Sequence, residues 1–115
     1  MKQSEKEVGL LLHRLGVSSK YHGFRFLTKA LLIMLEDESY MDKTMKYLYE
    51  CLAREFSCSP INVERNIRTC IDRSWSKVPY DTVNKVFGST MNYEVDSPSN
   101  RDFIFNLIYF FKYNK

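Results

Sequence analysis

The chain is poor in the residues that most catalytic, metal and membrane chemistry needs: 115 residues hold only three cysteines, two histidines and four glycines. Cys51, Cys58 and Cys70 are an odd set at spacings that fit neither a zinc pattern nor a paired disulfide framework. They are therefore expected as free thiols in a reducing cytoplasm, with no metal and no cofactor. Cys51 and Cys70 fall on or beside apolar helix faces and read as small hydrophobes, whereas Cys58 sits in a turn. His13 and His22 have no partner at a metal-ligand spacing and read as surface or interface residues. There is no phosphate-cradling glycine loop, no HExxH pair, and no Ser-His-Asp or Cys-His arrangement, so no enzyme activity is expected. No apolar run approaches the about 20 residues of a membrane span, and no signal peptide precedes the domain, so a membrane partner is not expected.

Net charge is also small. A formal net charge of +3 neither argues for nor excludes nucleic acid, so the distribution has to be read instead. Between Ser59 and Pro79 the bases Arg65, Arg68, Arg73 and Lys77 outnumber the acids Glu64 and Asp72. Glu36-Asp37-Glu38 forms an acidic corner that reads as an ordinary solvated helix end. A chain of 115 residues is one domain by length, large enough to bury a single core without staples.

What is present is helical periodicity, and the fold class it predicts is all-α: a compact bundle of about five to six helices containing a helix-turn-helix. Ser4-Glu5-Lys6-Glu7 forms a capping box before Val8, Leu11, Leu12 and Leu15, with Gly16 ending that helix. A second, heavily apolar helix is expected from about Tyr21 to Asp37. Thr44 to Phe56 repeats apolar residues at Met45, Leu48, Leu52 and Phe56, with Asp42 available as a cap. Asp81 to Phe87 makes a short helix stopped by Gly88; Ser89 to Pro98 reads as an ordered loop, with Met91 to Val95 able to extend. Ser99 and Asp102 then cap a last helix, Phe103 to Phe111, that is apolar on nearly every side. Phe105, Tyr109 and Phe110 cannot share one core with Phe103, Ile104, Leu107, Ile108 and Phe111, so an exposed aromatic strip is expected to contact a second copy of the domain.

The most informative stretch runs from Ser59 to Trp75. Ser59 suits an N-cap, because its hydroxyl accepts from a free N–H of the first turn, and Pro60 suits the first helical position, where no donor is needed. At about 100° per residue, Val63, Ile67, Cys70, Ile71 and Ser74 fall on one side with Trp75 at its edge. Asn62, Arg65, Thr69, Asp72, Arg73 and Ser76 fall opposite. Preceded by the Thr44–Phe56 helix and the turn Ser57-Cys58-Ser59, this predicts a helix-turn-helix over about residues 42–77, whose second helix reads double-stranded DNA. On pattern alone the same unit also fits any helical hairpin of an all-α domain. Glu64 and Asp72 are expected to form local ion pairs with Arg68 and Arg65.

These residues carry a family resemblance. Val63-Glu64-Arg65-x-Ile67-Arg68 followed by Trp75 resembles the recognition-helix signature of the C-terminal effector domain of stage zero sporulation protein A. Leu15-Gly16-Val17, Gly23-Phe24-x-Phe26-Leu27, Phe87-Gly88-x-Thr90 and Pro98-x-Asn100-x-x-Phe103-Ile104 stand in that family's order at similar spacing, so the resemblance runs from about Val8 to Lys112. It implies a single effector-type domain over 1–115, without the phosphorylatable receiver of the family's usual protein; the chain is then either a fragment or a stand-alone effector. It also implies that Glu64 and Arg65 reach base edges, that Arg68 supports them, and that the target is a box with a TGTCGAA-like core, often in tandem, where two copies pair. Ser59 and the helix N-terminus would hold a phosphate oxygen.

Two positions depart from the family, which commonly has arginine before the valine and histidine after the last arginine, where this chain has Asn62 and Thr69. Each lost phosphate contact flattens the salt dependence of binding by roughly 0.9 in log–log slope. Weaker binding or a shifted target is therefore expected, with Asn62 able to read adenine through its amide. The DNA-binding set is Ser59, Asn62, Glu64, Arg65, Arg68, Thr69 and Arg73. The competing expectation is a diverged paralogue acting through protein contacts, with the full regulator or with RNA polymerase.

Overall fold

The computed structural model describes residues 5–88 and 97–113. Among them are six α-helices and no strand: α1 (Glu5–Arg14), α2 (His22–Glu36), α3 (Met45–Phe56), α4 (Pro60–Trp75), α5 (Tyr80–Phe87) and α6 (Asn100–Tyr113), with a 3-10 turn, Glu38–Asp42, between α2 and α3. The all-α expectation and the helix count hold. Ser4 of the first capping box, Thr90 of one family motif and the Met91 to Val95 stretch lie outside the described residues.

Local chemistry sets most boundaries where the sequence placed them. Gly16 takes φ +84° and its N–H donates to the His13 carbonyl (2.9 Å), which closes α1 in a conformation that a Cβ would strain. Gly88, at φ +69°, ends α5. Ser99 Oγ accepts from the Asp102 N–H (3.0 Å), starting α6 three residues before the apolar run begins. The cap of α3 is a correction: Thr44, not Asp42, does the work, its hydroxyl accepting from the Tyr47 N–H at 3.1 Å. Asp42 belongs to the 3-10 turn, which periodicity did not reveal. That turn is capped by Asp37, whose carboxylate accepts from the Ser39 N–H (3.0 Å) and hydroxyl (2.6 Å); both bonds hold the Asp37 carboxyl below its ordinary pKa. The acidic corner is exposed, as expected, and Lys112 of α6 pairs with Glu38.

One core serves all six helices. Val8 and Leu12 of α1, Leu27 and Leu31 of α2, Leu52 of α3, Ile67 and Ile71 of α4, and Phe103, Ile104, Leu107 and Ile108 of α6 are wholly removed from solvent. At about 25 cal/mol per Å² of apolar surface, each such side chain contributes roughly 1.5–3 kcal/mol before its ordering entropy is counted. α2 is the central member, packed against α1, α3, α4, α6 and the 3-10 turn. Its closest approach is to α4, at Gly23. A Cβ there would lie 2.5 Å from Cys70 Sγ and closer still to the Asn66 carbonyl, so only glycine permits this crossing. The family motif Gly23-Phe24-x-Phe26-Leu27 thus has a packing reason: it seats α2 directly on the backbone of α4.

Candidate nucleic-acid interface

α3, a three-residue turn and α4 follow one another as a helix-turn-helix requires. Ser57 makes the turn by adopting the left-handed conformation (φ 55°, ψ 50°), and both its N–H and that of Cys58 donate to the Ala53 carbonyl. Ser59 Oγ accepts from the Asn62 N–H (3.1 Å) and Pro60 occupies the first turn, as the sequence indicated. Inward, α4 buries Val63, Ile67, Cys70, Ile71, Ser74 and Trp75, the same six residues that helical spacing assigned to the packing side. Burial pushes the Cys70 thiol pKa up, so it stays a neutral hydrophobe; Cys51 and Cys58 are half-buried and free.

Outward, the seven residues expected at DNA fall into three groups. Glu64, Arg65 and Thr69 are exposed, and neither Glu64 nor Arg65 has an ion-pair partner within 4 Å among the described residues. Ser59 and Asn62 are exposed at the start of the helix, but the Asn62 side-chain oxygen already accepts from the Asn66 amide, which also donates to the Asn62 carbonyl (2.8 Å). Bidentate pairing with adenine requires that intrahelical bond to open. Arg68 and Arg73 are held to the sides. Arg68 donates to Asp72 Oδ1 from Nε (3.2 Å) and Nη2 (2.7 Å), and Nη2 also reaches Ser97 Oγ (3.0 Å). Arg73 lies over the Tyr21 ring, 5.0 Å from its centroid, and donates to the Tyr21 hydroxyl at 2.9 Å. Of the local ion pairs expected of Glu64 and Asp72 with Arg68 and Arg65, the one formed among the described residues joins Asp72 to Arg68.

A profile of the family described as sporulation initiation factor Spo0A C terminal matches residues 8–109, nearly the whole chain. The chain belongs to this family. The Spo0A C-terminal domain is a DNA-binding regulatory domain of sporulation and not a catalytic one, and its partner is DNA. Among the described residues, no helix is long and apolar enough to cross a membrane.

The structure also brings to the site two residues that motif reading did not place there. Asn100, in the family motif after Pro98, is buried where α6 begins; its amide donates to the Tyr49 hydroxyl (3.0 Å) and to the Glu64 carbonyl (3.3 Å). One side chain so joins α3, α4 and α6 directly behind Glu64. Burial pushes the Tyr49 phenol pKa up, opposed by the Asn100 hydrogen bond. Ser97 donates to Asp72 Oδ1 (2.8 Å) while receiving Arg68, closing a three-residue network from the segment before α6 onto α4. Arg68 and Ser97 hold the Asp72 carboxyl below its ordinary pKa against the opposing effect of burial, with Arg68 the larger cause. A polar residue at the head of an otherwise apolar helix was the available signal for Asn100. For Ser97 there was none.

Proposed function

We propose that this domain is a sequence-specific, double-stranded-DNA-binding transcription regulator of the sporulation response-regulator type, with its helix-turn-helix over about residues 42–77 and α4 in the major groove. One observation carries the reading: Glu64 and Arg65 project, unpaired with any described residue, from a helix locked in place by the fully buried Val63 and Ile67 between them and the core. A helix is about 10–12 Å across and the groove about 12 Å wide. Glutamate accepts from the cytosine amino group and arginine donates twice to guanine, each good bidentate pair being worth about 1–3 kcal/mol of discrimination. Arg68, oriented by Asp72 and Ser97, supplies a third contact; Ser59, Thr69 and Arg73 serve the phosphates, and Asn62 a neighbouring base.

Equilibrium binding to a duplex with the TGTCGAA-like box, against a scrambled duplex, tests this. Arg65→Ala is expected to abolish the preference between the two. Lys77→Ala is expected to weaken binding to both alike and to lower the salt slope by roughly 0.9. Failure to bind any duplex at low salt would overturn the reading in favour of a paralogue working through protein contacts. Of the strip expected on α6, Phe105 and Phe110 are partly buried against the core and Tyr109 is largely exposed; a second-copy contact is favoured by Tyr109 and the equally outward Tyr113, whose tilted rings lie 5.6 Å apart. Pairing on tandem boxes follows from that reading, and a monomeric mass at high concentration, on and off DNA, would count against it.

A further inference from the structure

Ile61 was not among the residues assigned to DNA, and its surroundings give it no structural task. It is 61% exposed, in the first turn of α4. The other exposed large hydrophobics among the described residues are Leu10, on α1, and four tyrosines, each of which ends in a hydroxyl. A lone exposed aliphatic side chain is ordinary on a protein surface. Three features of its position are not. Ile61 stands one turn before Arg65, so the two point within about 40° of each other and lie about 6 Å apart along the axis. Its turn is fixed by the Ser59 cap on one side and the buried Val63 on the other. Its branched Cβ leaves one strongly preferred χ1 in a helix, so only the outer torsion loses freedom on contact.

We infer that Ile61 is a specificity-determining residue that packs against the 5-methyl group of a thymine next to the bases read by Glu64 and Arg65. The chemistry leaves little choice of target: the edges of all four bases in the major groove are polar except for the thymine methyl, the one feature there that an aliphatic side chain distinguishes from the other bases. The inference rests on the proposed α4 reading and adds a thymine to what Glu64 and Arg65 select.

Deoxyuridine in place of thymine removes that methyl and leaves base pairing intact, so it isolates the contact. The wild-type chain and Ile61→Ala are titrated with the box duplex, a scrambled duplex, and box duplexes carrying a single deoxyuridine at each thymine of either strand in turn. One position is expected to cost the wild type about fourfold in affinity, the worth of one buried methylene. Ile61→Ala should bind the unmodified box about that much more weakly and lose its sensitivity at that position, while Ile61→Val, which keeps the branch, retains it. Uniform tolerance of deoxyuridine by the wild type, or equal sensitivity in Ile61→Ala, overturns the inference while the box preference stands. Loss of preference between box and scrambled duplex would instead defeat the α4 reading itself. Because Ile61 lies outside the core, Ile61→Ala is expected to keep the wild-type melting temperature, so its affinity change reports the contact and not the fold.

Discussion

α4 and α6 both bury a mainly apolar inner side and differ most on the side turned to water. Ile67 of α4 and Leu107 of α6 are both completely enclosed. Outside, α4 presents Arg65, Thr69 and Asp72 beside a single aliphatic residue, whereas α6 presents Tyr109, Tyr113 and partly covered phenylalanines. Stability thus comes from the inner side of each rod, while the outer side offers a polar surface on α4 and an aromatic one on α6.

The largest effects should come from breaking the shared half of that comparison. Ile67→Ala and Leu107→Ala are each expected to cost about 2–5 kcal/mol in chemical denaturation, because both leave a cavity in one core. Their outer counterparts, Arg65→Ala and Tyr109→Ala, should leave stability within about 0.5 kcal/mol, yet part ways in function: the first removes duplex preference, the second self-association. Next in size is Gly23→Ala. Its methyl has to be accommodated by moving α2 off α4, and thermal melts should show a loss of about 1–3 kcal/mol.

The junction between the two helices ranks third. Asn100→Ala strips the Glu64 carbonyl and the Tyr49 hydroxyl of a buried donor, for an expected loss of about 1–3 kcal/mol. Asn106→Ala, which removes an exposed bond to the Asp102 carbonyl, should cost far less. The smallest effect concerns pH. The folded Asp72 carboxyl titrates below its ordinary value, so its contribution is present at neutral pH and disappears as pH falls through that lowered value. Wild type should exceed Asp72→Asn in stability by less than about 1 kcal/mol at pH 7, since the pair is partly solvent-exposed, and the difference should shrink as pH falls below the ordinary carboxylate range. A gap that widens on acidification would reverse the assignment of Arg68 as the group holding Asp72.

The inner half of α4 was legible because burial on a helix repeats with a local period, and Val63 through Trp75 follow it without exception. Caps built from neighbours, at Ser59 and Ser99, were legible for the same reason. What escaped depended on partners far along the chain. Tyr21 meets Arg73 across 52 positions and Ser97 meets Arg68 across 29, and no spacing rule reaches that far. The 3-10 turn was hidden differently: Thr44 and Asp42 are both acceptable caps, and only the path set by Asp37 and Ser39 decides between them. Ile61 was passed over because an apolar residue in an amphipathic pattern is normally assigned to the core, and this one faces away from it.

The bare backbone at Gly23 has a consequence for how the molecule meets a duplex. At that crossing α2 rests on the Asn66 carbonyl with only the Cys70 thiol beside it, which leaves α4 little room to tilt or slide there alone. On the proposed reading of α4, the adjustment that a poorly matched site demands then falls mainly to the nucleic acid, by bending or groove widening, and a stiff duplex is expected to bind more weakly than a flexible one with the same contacted bases.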